Sequence, residues 1–147
     1  MNTLQFLAQV GESVKARMRA VRIHTRQGRE GIRGRVADIL ARGSNIHARD
    51  EDGNTALMYA VGSGDAELVR LLVRAGAEVD AANERGMTPL MCAVHRGIAG
   101  EPVLRTLLAA GADPRQASTD GDTAYAFAED SDNTLALSLS REYTRHA

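Results

Sequence analysis

The sequence has few of the residues that build large aromatic cores or cross-linked extracellular domains. It contains no tryptophan, one cysteine and five aromatic side chains in 147 residues. The lone Cys92 excludes an internal disulfide, and Gln5, Gln9 and Glu12 interrupt the apolar run that a secretory signal requires. We therefore expect a cytoplasmic protein, with a secreted effector delivered to a host cell as the alternative. The core has to be built from Leu, Val and Ala, which favours thin helical layers.

Long uncharged segments are also missing. The longest one, residues 53–64, is shorter than the ~20 apolar residues that a transmembrane helix needs. The chain length fits one compact domain or a short repeat array. The hydrophobic share of 44% and the charged share of 25% are ordinary for a folded protein. These values argue against a membrane span, a second full domain and a wholly disordered chain.

Charge divides the chain into two parts of opposite sign. Residues 1–49 hold ten basic and three acidic side chains, net +7, whereas residues 50–147 hold eight basic and sixteen acidic side chains, net −8. Lys15 is the only lysine among the eighteen basic residues. Because usage rich in arginine and alanine is common in GC-rich genomes, we expect a short bacterial protein and give the arginine content little chemical weight.

A unit of about 33 residues recurs along the chain. Its first half begins with Gly-x-Thr and occurs at 53–61, 86–94 and 121–128. Its second half surrounds a glycine and occurs at 39–45, 71–78 and 107–113. A fixed period of this length is the sequence signature of a stacked repeat architecture.

Each unit predicts two helices. Thr55, Thr88 and Thr123 are placed to cap the first helix with a side-chain oxygen, and Pro89 fits its first turn. Apolar residues then follow at i, i+3 and i+4, the spacing of one helix face. The second helix of the middle units carries too many apolar residues for one face, which predicts cover on two sides. Glycines suited to a left-handed C-terminal position end it, namely Gly76 and Gly111.

These residues resemble the ankyrin repeat family, whose unit is two antiparallel helices and a turn with a Thr-Pro-Leu-His-x-Ala signature. The segment Thr88-Pro89-Leu90-Met91-Cys92-Ala93 follows that signature, and the resemblance covers about residues 31–130. Met58 and Met91 replace the signature His, and Ala56 and Ala124 replace its Pro. The resemblance implies an all-α solenoid of about four helix-turn-helix repeats.

The predicted organisation is an N-terminal amphipathic capping helix over residues 1–21 and a repeat domain over residues 22–147. The apolar stripe of the capping helix is formed by Leu4, Leu7, Val14, Met18 and Val21. Within the array we expect a degenerate repeat at about 17–49, two repeats at 50–82 and 83–117, and a capping repeat at 118–147 that ends in a helix over 134–146. Terminal repeats need a polar outer face because they have no outer neighbour.

No catalytic or metal-binding pattern is present. The four histidines lie too far apart for a zinc site, and the acidic turn that starts at Asp50 has Val61 where a calcium loop needs its twelfth-position Glu. Cys92 and His95 could share a helix face, but both occupy ordinary positions of the repeat. We therefore expect no enzyme activity, no catalytic residue, no metal, no cofactor and no small-molecule substrate.

An arginine-rich segment precedes the regular repeats. It comprises Arg17, Arg19, Arg22, Arg26, Arg29, Arg33 and Arg35. Such a basic arm could recruit the chain to nucleic acid or to an anionic membrane surface, although no aromatic side chain lies between these residues for base stacking. The preferred interpretation is that the arginines are solvated or pair with the acidic part of this molecule or of a neighbour.

The resemblance implies that the chain binds another protein through its inner helices and turns. The predicted partner-binding residues lie around the turn glycines and at the end of the first helix, where we expect no role in stacking. They are Glu51, Asp52, Asn54, Glu84, Arg85, Met87, His95, Arg96, Asp120 and Asp122, with Ser63 and Thr119 beside them. Arg85, Met87, His95 and Arg96 form the predicted centre, because Arg is enriched in binding hot spots and Met adapts to irregular surfaces. Self-association through the N-terminal helix is a further expectation.

Overall fold

A computed structural model describes residues 26–95, 101–130 and 134–145. Its helices are α1 (Arg26–Ala41), α2 (Ala56–Gly62), α3 (Ala66–Arg74), α4 (Pro89–His95), α5 (Glu101–Ala109), α6 (Ala124–Asp130) and α7 (Thr134–Arg145). Within these ranges β-type pairing is limited to two isolated bridges, Arg49 with Thr55 and Ala117 with Thr123. The predicted all-α solenoid is confirmed, while the capping helix predicted over residues 1–21 lies outside the described residues.

The helices form two rows. The first helices of the units, α2, α4 and α6, pack against one another in sequence, and so do the second helices α3, α5 and α7. Each pair is also in contact internally, α2 with α3, α4 with α5 and α6 with α7, and α1 packs on α3 at the N-terminal end of the second row. Each helix pair therefore buries its apolar face mainly against the next pair, as expected for a solenoid.

The first helices begin where the sequence predicts. The hydroxyls of the three threonines accept hydrogen bonds from the backbone N–H three residues later, Thr55 from Met58 at 3.4 Å, Thr88 from Met91 at 3.2 Å and Thr123 from Ala126 at 3.1 Å. Each bond satisfies one of the donors that the first turn of a helix leaves unpaired. Thr55 and Thr88 are buried, so these caps belong to the core.

The second helices end in one repeated motif. Gly43, Gly76 and Gly111 adopt φ values of 86°, 95° and 92°. The residue after each glycine donates its N–H to a carbonyl five residues earlier, for example Ala77 to Leu72 at 3.0 Å. This bond satisfies a terminal carbonyl and turns the chain towards the next unit, and the positive φ explains why glycine occupies the position.

The core consists of aliphatic residues and alanines, as the scarcity of aromatics predicts. Leu57, Leu72 and Leu90 are among the largest fully buried side chains. The second-row helix α3 departs from expectation, since Leu71 and Val73 are only half-buried. A helix in the second row has one face open to solvent, so the predicted cover on two sides is incomplete.

The first repeat, which the sequence predicts to be degenerate, is described from residue 26 onward. Its described part is a single helix of 16 residues that runs through the three glycines at 28, 31 and 34. Ile32, Val36 and Ile39 at i, i+4 and i+7 are buried and hold it on the core. The described residues therefore contain three helix pairs and one long helix in place of four pairs. The sequence before residue 31 lacks the signature and the short apolar run that form the first helix of the other units.

An ion pair ties α1 to the next unit. The Arg33 guanidinium donates from Nη2 to Asp65 Oδ1 at 2.6 Å and from Nε to Oδ2 at 3.0 Å. Asp65 is 5% exposed and Arg33 is 31% exposed. Asp65 is also the N-cap of α3, where it accepts the N–H groups of Glu67 at 3.1 Å and Leu68 at 3.2 Å. One carboxylate therefore caps α3 and anchors α1.

These contacts set the charge state of Asp65. Burial by itself would raise its pKa, but the hydrogen bonds from Arg33 and from the capped N–H groups outweigh burial and hold the pKa below its ordinary value. Since the folded-state pKa lies below the unfolded-state value of about 3.9, the ionised carboxylate stabilises the folded chain above that pH. The contribution disappears as the pH falls through the folded-state pKa.

Asp65→Asn keeps an N-cap acceptor but removes the ion pair with Arg33. We expect the variant to lose about 1.5 to 3 kcal/mol of unfolding free energy at pH 7, measured by urea denaturation followed by circular dichroism. The difference from the unsubstituted chain should shrink below about pH 4. Arg33→Gln should remove only the share of the pH dependence that comes from the ion pair, because the N–H groups of Glu67 and Leu68 still favour the ionised carboxylate. For Asp65→Asn, a difference that stays constant from pH 7 to pH 3 would contradict this account.

Candidate protein-interaction surface

The turns between units are folded by their own first residue. Asp50 Oδ1 accepts the N–H groups of Asp52 at 3.0 Å and Asn54 at 2.8 Å, which closes the first turn. Asn83 Oδ1 accepts those of Arg85 and Met87, both at 3.0 Å, in the second turn. These side-chain acceptors explain the preference for Asp, Asn and Ser at such positions. Two residues at the tip of each turn remain exposed.

Neighbouring turns are also bonded to each other through the backbone. The N–H of Glu84 donates to the carbonyl of Asp52, and the N–H of Thr119 donates to the carbonyl of Arg85, both at 3.0 Å. The Thr119 hydroxyl donates to the same Arg85 carbonyl at 3.0 Å. The tips of successive turns are therefore fixed relative to one another.

Asn54 takes part in this connection with its side chain. Its Oδ1 accepts a hydrogen bond from Asn83 Nδ2 at 2.9 Å, and its own Nδ2 donates to Asp50 Oδ2 at 3.2 Å. The expectation that the turn positions have no role in stacking is therefore wrong for Asn54. The bond could not be foreseen because its partners are 29 residues apart and belong to different turns.

The remaining predicted residues fall into three groups. Most are exposed: Glu51, Asp52, Ser63, Glu84, Arg85, His95, Thr119, Asp120 and Asp122. Met87 is half-buried and packs on the core, so only part of its side chain is available to a partner. Arg96 lies outside the described residues. The structure thus places seven of the ten predicted partner-binding residues at the surface.

A row of residues on the first helices was missed by sequence reasoning. Tyr59, Cys92 and Phe127 occupy the fourth position of α2, α4 and α6, and all three are half-buried. They correspond to the variable position just before the last Ala of the repeat signature. Comparing this position between units would have found the row, because it is the only one that carries an aromatic side chain in two of the three units.

Contacts place this row next to the turns. The Tyr59 hydroxyl donates to the Asp50 carboxylate. Burial, together with the hydrogen bond to Asp50, raises the pKa of Tyr59 and keeps it neutral. Burial acts against the charged form of Asp50, but the hydrogen bonds from Tyr59 and Asn54 lower its pKa overall. The pair therefore holds the phenol against the first turn.

The other end of the row contains an aromatic contact between units. The His95 ring, at the end of α4, lies 5.0 Å from the Phe127 ring at an interplanar angle of 60°. This tilted arrangement is one of those that aromatic pairs prefer. His95 is exposed, so the pair presents an aromatic surface at the C-terminal end of α4.

We call the inner surface the exposed tips at 51–52, 84–85 and 119–120 together with Tyr59, Cys92, Phe127 and His95. The tips carry four carboxylates and one guanidinium, that of Arg85. Asp122 adds a further exposed carboxylate beside the third tip. The inner surface thus combines acidic tips with a partly aromatic row.

Two kinds of feature are absent from the part of the chain that the structure describes. No group of three or more His, Cys, Asp or Glu side chains there is arranged to hold a metal ion. Among the described helices, none combines the length and the apolarity needed to cross a bilayer.

Comparison with known proteins agrees with this architecture. A family model described as ankyrin repeats matches residues 29–118 in three copies. The chain is 34% identical over 100 residues to the E3 ubiquitin-protein ligase KEG of Arabidopsis thaliana, a match to 65% of this chain and 6% of that protein. It is 33% identical over 94 residues to the B-cell lymphoma 3 protein homolog of Mus musculus, a match to 63% of this chain and 20% of that protein.

The chain thus spans a fifth or less of the length of both relatives. The similarity concerns the repeat array and not the remainder of those proteins. Both relatives come from eukaryotes, so the bacterial source expected from the arginine usage stays a prediction.

Gly86→Ala tests the close approach of neighbouring turns. A Cβ on Gly86 would lie 2.6 Å from the backbone nitrogen of Thr119, and the glycine has a φ of 70°. Gly121 has a φ of 89° but open space at the same point, which makes Gly121→Ala the matched control. We expect Gly121→Ala to lose about 1 to 2 kcal/mol of unfolding free energy from its conformation alone and Gly86→Ala to lose clearly more. Equal losses in urea denaturation would show that the turns can separate freely.

Asn83→Ala tests the side-chain bonds between turns. The substitution removes the acceptor of two backbone N–H groups and the donor to Asn54, so we expect a loss of about 1.5 to 3 kcal/mol in thermal or urea unfolding. Asn45→Ala is the control, since the exposed Asn45 side chain accepts a single bond, from the N–H of His47 at 2.9 Å. A loss in the Asn83 variant no greater than in this control would argue against coupling of the turns through the amide.

Proposed function

Because the chain belongs to the ankyrin repeat family, whose repeats are generally protein–protein interaction modules, we propose that it binds another protein through the inner surface. The observation that carries this proposal is the backbone bonding between Asp52 and Glu84 and between Arg85 and Thr119. It fixes the spacing of exposed side chains before any partner arrives. A preorganised surface loses less conformational entropy on binding.

The charge of the tips favours a particular kind of partner. Carboxylates dominate, and they would repel the phosphates of nucleic acid, whereas they attract a protein surface with a basic rim. Arg85 stands between the acidic first and third turns, where it can pair with a single acidic residue of the partner. The half-buried aromatic row offers apolar contact next to these charges.

We further propose that the chain has no enzymatic activity of its own. The name of the plant relative refers to a ligase, but the matched segment is 6% of that protein, so the ligase activity is not transferred to this chain. The described residues contribute turns, caps and stacking contacts.

The alternative is a basic N-terminal arm that binds nucleic acid or an anionic membrane surface. Several arginines of this arm are part of a folded helix. Arg26, Arg29, Arg33 and Arg35 lie within α1, and Arg33 is paired with Asp65. Such pairing supports the interpretation that the arginines serve the acidic part of the same molecule. A cytoplasmic location and self-association through the N-terminal helix stay predictions.

The double variant Arg85→Glu, Arg96→Glu tests the inner surface. A partner captured by affinity purification with the full chain, and identified, is titrated against purified variants by isothermal calorimetry. We expect at least a tenfold loss of affinity, about 1.4 kcal/mol, with an unchanged melting curve, since the Arg85 side chain is exposed and only its backbone groups are bonded in the stack.

Arg42→Glu, Arg115→Glu is the matched control, because it makes the same change of charge at two exposed positions away from the inner surface. It should bind like the unsubstituted chain. Full retention of binding by the folded Arg85, Arg96 variant would place the interface elsewhere, on the second row of helices or in the N-terminal segment.

A further inference from the structure

A groove of about 610 Å³ lies on the second row of helices, between α3 and α5. It arises from a difference between equivalent positions of two units. Counted back from the helix-ending glycines, Arg74 of α3 corresponds to Ala109 of α5, and both Ala109 and Ala110 line the groove. The two alanines are too short to fill the space beside Arg74, and this space is the groove. The groove is lined entirely by residues that lie outside the inner surface.

The groove has an apolar floor and a basic rim. Val73, Ala109 and Ala110 supply apolar surface, and Arg70, Arg74 and Arg105 stand around it with Glu101. Val73 is one of the residues that the second row leaves half-buried. Three guanidinium groups against one carboxylate make the lining net positive.

The arginines of the rim differ in their present contacts. Arg70 is paired with Glu67, and Arg105 with Glu101, but these side chains are 41% to 55% exposed. Ion pairs this exposed contribute little to stability and exchange easily. Arg74 is exposed, and none of the described residues forms an ion pair with it. The rim can therefore accept new carboxylates at small cost.

We propose that this outer groove is a second docking site, separate from the inner surface, that takes an acidic peptide segment of a partner protein. Carboxylates of the segment pair with Arg74 and with one of its neighbours, since the planar guanidinium can bind a carboxylate through two parallel hydrogen bonds. An aliphatic side chain of the segment lies on Val73 and the two alanines. The volume falls within the range of about 300 to 1,000 Å³ that is usual for binding clefts.

Charge complementarity selects this occupant. Glu101 on the rim interrupts the positive surface, and no aromatic side chain lines the groove for base stacking, so a nucleic acid strand fits it poorly. A peptide with spaced carboxylates and an apolar residue matches both the rim and the floor. The inner surface, with its acidic tips, has the opposite sign and would not compete for the same segment.

The test uses a fluorescein-labelled peptide of repeated Glu-Glu-Leu triplets, with the corresponding Gln-Gln-Leu peptide as the neutral probe. Fluorescence anisotropy is measured on the full chain at about 0.15 M salt, where long-range attraction is largely screened. We expect saturable binding of the acidic peptide and at least about tenfold weaker binding of the neutral one. Arg74→Glu and the groove-filling Ala109→Leu should each weaken the acidic peptide by about tenfold.

Two controls separate the groove from general attraction. Arg42→Glu makes the same charge change at an exposed position outside the groove, and Arg85→Glu makes it on the inner surface. Both should bind the acidic peptide like the unsubstituted chain. The proposal is overturned by absence of binding, by an equal loss in Arg42→Glu, by unchanged binding in Ala109→Leu, or by a single-stranded oligonucleotide that displaces the peptide with comparable affinity.

Discussion

The fold depends on the close approach of successive turns. A pair of helices as short as α2 and α3 cannot bury its apolar residues alone, so each unit relies on its neighbours. The bonds from the N–H of Glu84 to Asp52 and from that of Thr119 to Arg85 set the distance between units at the turn edge. At Gly86 even a single added carbon would collide with the next turn. The spacing of the turn tips, and of the surface that they form, follows from this constraint.

The same constraint separates the parts that fold the chain from the parts that can recognise a partner. At the tips the backbone groups are engaged in stacking, whereas the side chains of Glu84 and Arg85 extend into solvent. These two side chains can therefore change without changing the array, whereas the Thr119 hydroxyl is bonded to the neighbouring turn. The second row also varies between units. Arg74 and Ala109 occupy equivalent positions, and the difference in their length changes the shape of the surface there.

The sequence predicts those features that depend on a few adjacent residues. Thr88 with Pro89 marks a helix start and Gly76 a helix end, because caps act within one turn of chain. The missing signature predicts a degenerate first repeat, but it does not say that one long helix fills the described part of that repeat. The Asn54–Asn83 bond depends on how two distant turns are placed, which only the stacked structure determines. The row of Tyr59, Cys92 and Phe127 was within reach of the repeat register.

Asp65 links the first described helix to the start of α3. Its carboxylate accepts hydrogen bonds from Arg33 of α1 and also from the first backbone N–H groups of α3. Separating α1 from the array would therefore leave the Asp65 carboxylate with only the N–H groups of α3 as partners. A single side chain thus couples the docking of the first helix to the start of α3 in the next unit.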